Sequence, residues 1–188
     1  MYSIEDLTMP DNSADYEDSD ELQPVFDEDD HPARVWNLLW LINPGDEEAA
    51  LQQFGAWREA RAGAEDDSSD EQWLWDLNEA INWRAGFHVD WKDIDSFVAA
   101  VDELAARWGL RIDWGGDLDD EDFIEDLDVP TLMATAYDRL REHGYTLWNW
   151  NTGEDSYAGW VALSRDDEAM LALTSLLDIE VRQGNDAF

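Results

Sequence analysis

Apolar and polar side chains alternate over residues 87–91. A period of two is typical of a strand that buries one of its faces. From Asp93 onward the apolar positions recur at helical spacing, and they end at Gly109, a residue type that readily takes the left-handed turn at a helix end. Residues 110–114 alternate again. The pattern predicts a β-α-β unit of about 28 residues, near the length that a parallel crossover requires.

Three runs of helical spacing precede this unit. The first begins at Pro32, which suits a first helical turn, and it stops near Asn43. The second follows Asp46, and the third ends by Gly86. Because each run carries its own apolar stripe, we expect two or three helices ahead of the strand at residues 87–91.

Further elements follow the unit and complete the predicted domain. They are a helix at 130–144, strands at 145–150 and 157–163, a helix at 164–177 and an edge strand at 179–182. Turn residues between the two strands predict a hairpin. The predicted fold is α+β, with a mixed sheet of about five strands that includes the β-α-β unit and the hairpin and is covered by helices.

The N-terminal segment differs in composition from the rest. Residues 1–31 contain many acids, few large apolar side chains and no Lys or Arg. Such a segment cannot bury enough apolar surface to offset the entropy lost on ordering. We therefore expect a disordered acidic tail over 1–31 and a single α+β domain over 32–188. The tail either lies on a basic partner or only keeps the protein in solution.

Charge constrains the function most strongly. The chain has 47 acidic and 11 basic residues, for a formal net charge of -36. A protein of this charge repels nucleic acid and anionic membranes, so a partner held by electrostatics should be basic. The acids also occur in blocks, whereas a purely solubilising surface would spread them evenly. We predict a basic protein partner, no direct contact with nucleic acid and no contact with membrane.

The most acidic block of the predicted domain is 117–128, between two predicted elements. Loops between rigid elements often carry binding residues, and carboxylates there can meet arginine forks in pairs. The predicted partner-binding residues are Asp117, Asp119, Asp120, Glu121, Asp122, Glu125 and Asp126. The alternating acids are also a feature of calcium loops, but Asp122 stands where an EF-hand requires glycine. No metal site is predicted.

An enzyme or small-ligand domain with an unrecognised site is the alternative. Asp90 and Lys92 on a strand match the D-x-K element of metal-dependent nucleases, and Asp76 or Glu79 could add a carboxylate from a helix. The charge argues against a nuclease, because nothing basic lies nearby to attract a polyanion. The histidines are scattered, and the chain lacks cysteine, a G-x-S-x-G motif and a P-loop. We predict no catalytic residue and no cofactor.

The tryptophans allow two interpretations. An exposed aromatic platform would suit a neutral ligand or a protein, whereas helical or same-face spacing indicates core. We favour core for the set Trp36, Trp40, Trp73, Trp148, Trp150 and Trp160.

Three stretches are similar to a known family. They are F-H-V-D-W-K-D at 87–93, G-Y-T-L-W at 144–148 and D-S-Y-A-G at 155–159. Together they resemble an uncharacterised bacterial family, one of the domains of unknown function, over roughly residues 35–183. The resemblance implies a bacterial origin and a single domain, and it assigns no site residues.

Two classes of function therefore remain. The first is a non-enzymatic binding protein that neutralises a basic partner, as an immunity protein or antitoxin does for a toxin, or a DNA mimic for a DNA-binding protein. The second is the enzyme or small-ligand domain. The first residues show neither a basic region nor an apolar run, and there is no cysteine, so we expect a cytoplasmic protein. The oligomeric state stays open.

Overall fold

The computed structural model describes residues 30–64 and 71–188. The helices in these ranges are α1 (His31–Ile42), α2 (Glu47–Gly63), α3 (Gln72–Ile81), α4 (Ile94–Ala106), α5 (Glu121–Ile124), α6 (Val129–Arg141) and α7 (Asp167–Leu176). The strands are β1 (Gly86–Asp90), β2 (Tyr145–Trp150), β3 (Ser156–Leu163) and β4 (Val181–Gln183). The predicted α+β class is confirmed, as are the three leading helices.

The strands form one antiparallel sheet in the order β1-β3-β2-β4. The predicted hairpin is present as β2 and β3, and Trp148 lies directly opposite Trp160 across it. The predicted edge strand is present as β4, which pairs with β2. β1 pairs with β3, about 70 residues later in the chain.

The predicted β-α-β unit is wrong in its second strand. Residues 110–114 join no sheet, so the described sheet has four strands and no parallel crossover. Trp114 is 8% exposed and packs against Phe97 of α4, with ring centroids 6.2 Å apart. Its indole N–H donates to the Asp102 carboxylate at 3.2 Å. Leu110 and Ile112 are partly buried against the same core. The alternation at 110–114 therefore reflects packing of an extended segment on the core that includes α4, and no pairing in a sheet.

The sheet separates two apolar cores. One core includes Trp148, Trp150 and Trp160 and is covered by residues of α1, α2, α3 and α7. The other includes Phe87 and Leu147 and is covered by residues of α4 and α6. Because both faces of β2 and β3 are buried, these strands read as nearly continuous apolar runs.

The predicted acidic tail falls almost wholly outside the described residues. Of residues 1–31 the structure describes Asp30 and His31, and His31 is the first residue of α1. Residues 65–70 of the predicted loop between α2 and α3 also lie outside the description. Within the described ranges, no helix has the length and apolar character needed to cross a membrane.

Candidate functional site

The acidic loop, residues 117–126, leads from the segment after α4 to α6 and contains α5. The structure brings all seven predicted partner-binding residues together in this loop, and each of them is exposed. No Lys or Arg occurs between residues 112 and 138. Among the described residues, no ion pair reaches a carboxylate of the loop. The loop is thus a surface of unneutralised negative charge.

Some of the acidic side chains also hold the backbone of the loop in shape. Asp117 accepts a hydrogen bond from the backbone N–H of Asp119 at 3.0 Å. Asp120 is the N-cap of α5 and accepts from the N–H of Asp122 at 3.1 Å. Short acidic side chains are favoured at such positions because they satisfy N–H groups that lack a partner in the turn or helix.

Apolar side chains within and beside the loop fix it to the domain. Leu118 and Leu127 pack against the core formed with α4 and α6. The Phe123 ring covers Gly116 so closely that a Cβ at position 116 would lie 2.4 Å from it. The carboxylates are therefore displayed from a backbone that is anchored at several points.

Asp128, just after the loop, is the N-cap of α6 and accepts from the Thr131 N–H at 2.8 Å. A hydrogen bond from the Thr131 side chain, and a smaller contribution from the Thr131 backbone N–H, hold the pKa of Asp128 below its ordinary value. Burial, and then the Asp128 charge, raise the pKa of Tyr157. Burial likewise raises the pKa of Asp102 even though the Trp114 indole hydrogen bond opposes the shift.

Replacing the α6 cap should destabilise the protein in a pH-dependent way. We expect Asp128→Ala to lower the free energy of unfolding by about 1 kcal/mol at pH 7. A carboxyl whose pKa is lowered in the folded state stabilises the fold above its unfolded pKa, and that contribution is lost as the pH falls through the folded pKa. The difference between wild type and variant in urea unfolding should therefore shrink as the pH falls below the ordinary pKa of an aspartate toward the lower folded-state pKa.

Asp128→Asn is the matched control for this cap. It removes the same charge but keeps an oxygen that can accept from the Thr131 N–H, so it should cost less than Asp128→Ala. An Asp128→Ala deficit of equal size at pH 7 and at acid pH would contradict the assigned role.

The candidate nuclease residues are not brought together. Asp90 accepts from the backbone N–H of Lys92 at 3.0 Å, and the Lys92 ammonium lies over the Trp91 ring at 4.4 Å. Asp76 instead pairs with Arg61 of α2 at 3.2 Å. Within the ranges that the structure describes, no three His, Asp or Glu side chains are arranged to hold a metal ion.

The fold also creates a serine–histidine contact that the sequence did not indicate. His88 Nε2 lies 3.1 Å from Ser156 Oγ, and Ser156 donates to Thr152 Oγ1 at 3.2 Å. Such a contact is one half of a nucleophile-and-base arrangement, which also needs a third group to orient the base. No carboxylate among the described residues hydrogen-bonds to the His88 ring. Only the register of β1 against β3 places these residues together, so no local pattern could reveal them.

A buried polar network centred on Asn43 was also missed. Asn43 is 2% exposed and donates to the Leu39 carbonyl at 2.8 Å and to Gln53 Oε1 at 2.7 Å. The Arg107 guanidinium donates to Asn43 Oδ1 at 2.6 Å, and burial lowers the pKa of Arg107. The sequence indicated only a turn at this asparagine, whereas the folded chain uses it to connect α1, α2 and the end of α4.

Asn43, the centre of this network, lines a cavity of about 490 Å³. The turn between α1 and α2 supplies one wall, and the residues that follow β3 supply the other. The side chains that give the cavity its chemical character are Trp40, Asn43, Asp46, Glu47, Arg165 and Asp166. Nothing in the local sequence predicts this site, because its walls come from segments more than 100 residues apart.

The profile of one protein family, described as Domain of unknown function (DUF6630), matches residues 34–184. The chain belongs to the DUF6630 family. No curated protein and no solved structure matches the chain. Both the acidic loop and the cavity lie inside the matched region.

The tryptophans of this DUF6630 domain fall into two groups. The core prediction is confirmed for Trp148, Trp150 and Trp160, which are buried in the sheet. It is wrong for Trp40, which is 49% exposed although it lies at helical spacing from the partly buried Trp36. The reason is that Trp40 lies on the side of α1 that faces the cavity, whereas Leu38 and Leu39 lie on the side that faces the core.

Proposed function

We propose that this DUF6630 protein binds and neutralises a basic protein without catalysing a reaction. The partner would be a toxin, for which this chain is the immunity protein or antitoxin, or a nucleic-acid-binding protein, for which it is a DNA mimic. The observation that carries the proposal is the acidic loop, whose exposed carboxylates form no ion pair with any described residue and stand on an anchored backbone. We expect the protein to act in the cytoplasm, where it would meet such a partner.

The net charge supports fast association. A formal charge of -36 creates a field that draws in a basic partner and can raise the association rate by a factor on the order of 10 to 1,000. Because the rate gain comes from long-range attraction, it should fall steeply with added salt.

The anchoring of the loop supports specificity. A loop already held by Leu118, Phe123 and Leu127 loses little further freedom when a partner binds. Its carboxylates can then accept hydrogen bonds in pairs from arginine guanidinium groups of the partner. A surface that only keeps the protein in solution does not require carboxylates in a fixed arrangement, because their charge alone is sufficient.

Neutralising the centre of the loop should slow binding while leaving the fold intact. The variant carries Asp119→Asn, Asp120→Asn, Glu121→Gln and Asp122→Asn. The asparagine at position 120 retains an oxygen for the α5 cap. With the full chain immobilised and the basic partner captured from the source cell, we expect the association rate to fall about tenfold and its salt dependence to flatten.

A charge-matched control separates the loop from overall charge. It neutralises the same number of exposed acids elsewhere in the fold, two on helices and two in turns, namely Glu79→Gln, Asp95→Asn, Glu154→Gln and Asp178→Asn. This control should lose much less of the association rate than the loop variant. Equal losses in the two variants, or no basic protein captured by the wild type, would refute the proposed function.

A further inference from the structure

The cavity above the Asn43 network has the chemistry of a receptor for one cationic side chain. Trp40 lies in its wall with 49% of its surface exposed, although large aromatic side chains are normally well buried. A volume of about 490 Å³ is within the range of cavities that hold small ligands or inserted side chains.

The charged side chains of the cavity favour a positively charged ligand. Among the lining residues, Asp46, Glu47 and Asp166 contribute carboxylates and Arg165 contributes a guanidinium. A second guanidinium, that of Arg107, donates to Asn43 from behind the lining and faces the charge of Asp46, so carboxylates still outnumber guanidinium groups. The positive end of α2 opens at this cavity, but Asp46 already caps it by accepting from the Ala49 N–H at 3.0 Å. An anion would therefore meet a surplus of negative charge, whereas a cation would meet carboxylates and the negative face of an indole.

Two of the lining residues, Asn43 and Pro44, are held in place without a ligand. Asn43 is held by Leu39, Gln53 and Arg107, and the Trp108 indole N–H donates to the Pro44 carbonyl at 3.3 Å. A site on such a fixed base loses little entropy when it is filled.

We propose that this cavity receives an arginine side chain of the basic partner, with its guanidinium stacked on Trp40 and directed toward the carboxylates of Glu47 and Asp166. Arginine fits better than lysine because its planar group both stacks on an aromatic face and offers a fork of N–H donors to carboxylates. The inference rests on the proposed function for the source of the arginine. The cavity would be a second contact with the partner, formed by elements other than the acidic loop.

The cavity can be tested on the full chain without the partner. Nα-acetyl-arginine amide is titrated into ¹⁵N-labelled protein, with the neutral isostere Nα-acetyl-citrulline amide as the control ligand. We expect saturable chemical-shift changes at the Trp40 indole and at Gly45 and Leu163 with the arginine compound. The citrulline compound should produce changes several-fold weaker, because it lacks the charge.

Two variants probe the two halves of the site. Trp40→Leu removes an exposed indole, so the fold should survive, and the affinity for the arginine compound should fall about threefold. Glu47→Gln with Asp166→Asn should weaken binding by a similar or larger factor. Trp91→Leu is the matched control, because Trp91 is 48% exposed but lies outside the cavity. The Trp91→Leu protein should bind the arginine compound with the affinity of the wild type.

Three outcomes would overturn the inference: equal responses to the two compounds, equal losses in Trp40→Leu and Trp91→Leu, or shifts confined to the acidic loop. The loop variant described above should still bind the arginine compound at the cavity. If the cavity does not bind the arginine compound, the test of the acidic loop with the basic partner is still valid. If no basic partner is captured, the arginine titration can still be carried out and interpreted. The two proposals can therefore fail separately.

Discussion

Gly159→Ala is expected to lower the free energy of unfolding by about 3 kcal/mol, near the upper end of the cost of overpacking. Gly159 lies in β3, which has a strand on each side. An added Cβ would lie 1.9 Å from the Trp148 carbonyl oxygen and 2.9 Å from the Phe87 ring. Neither neighbour can easily yield, because Trp148 belongs to the adjacent strand and Phe87 is buried. Urea unfolding followed by circular dichroism measures the change.

A glycine-to-alanine substitution at another position provides a control that should raise the free energy of unfolding instead of lowering it. Gly55 lies inside α2, and a Cβ at that position would meet no atom within 4 Å. Gly55→Ala should therefore stabilise the protein by about 0.5 to 1 kcal/mol through better helix propensity and a less flexible unfolded chain. A Gly159→Ala protein as stable as the wild type would show that the contact between β2 and β3 is looser than described.

Trp160→Ala is expected to cost about 4 kcal/mol, since it removes a large side chain from the centre of a packed core. Trp160 is 1% exposed, lies opposite Trp148 in the hairpin and belongs to the core covered by α1, α2, α3 and α7. The cavity left behind cannot collapse easily, because helices and sheet enclose it. Unfolding in urea, with the slope m unchanged, gives the difference directly.

Trp160→Phe is the informative comparison at this position. The Trp160 indole nitrogen is buried and has no hydrogen-bond partner among the described residues. Phenylalanine therefore loses volume but no hydrogen bond, and it relieves an unsatisfied donor. We expect it to cost less than half as much as alanine, about 1 to 2 kcal/mol. A cost as large as that of alanine would indicate that the indole N–H is bonded in solution.

Most of the local structure could be predicted from the sequence. Each of the six longer helices has an apolar stripe, whereas the four-residue α5 has no buried residue and was not predicted. Asp93, where the helical spacing was expected to begin, caps α4, and Gly109 adopts φ +70 at the turn after it. The hairpin also follows from adjacent residues, since two apolar runs flank a short polar turn. The acidic loop was predictable for the same reason, because a contiguous block of acids must be exposed wherever the chain is placed.

The pairing of distant segments was not predictable. Alternation at residues 110–114 and at residues 87–91 looks the same along the chain, yet one segment packs on α4 and the other joins β3. The first segment buries Trp114 and partly buries Leu110 and Ile112, and the second buries Phe87 and Val89 but leaves Trp91, just after β1, 48% exposed. The alternation therefore indicates a partly buried face without identifying the neighbour that covers it. The choice depends on contacts between residues far apart in the sequence, which no local pattern contains.

The sequence by itself therefore determined most of the helices and strands, the net charge and the position of the acidic loop. The tertiary structure alone decided the antiparallel sheet order, the contact between His88 and Ser156, the Asn43 network and the cavity at Trp40. Helical spacing placed Trp40 in the core, and the fold instead left it at the rim of that cavity. The physical reason is that a helix stripe shows which side is apolar, whereas the neighbours that cover it are chosen by packing across the whole chain.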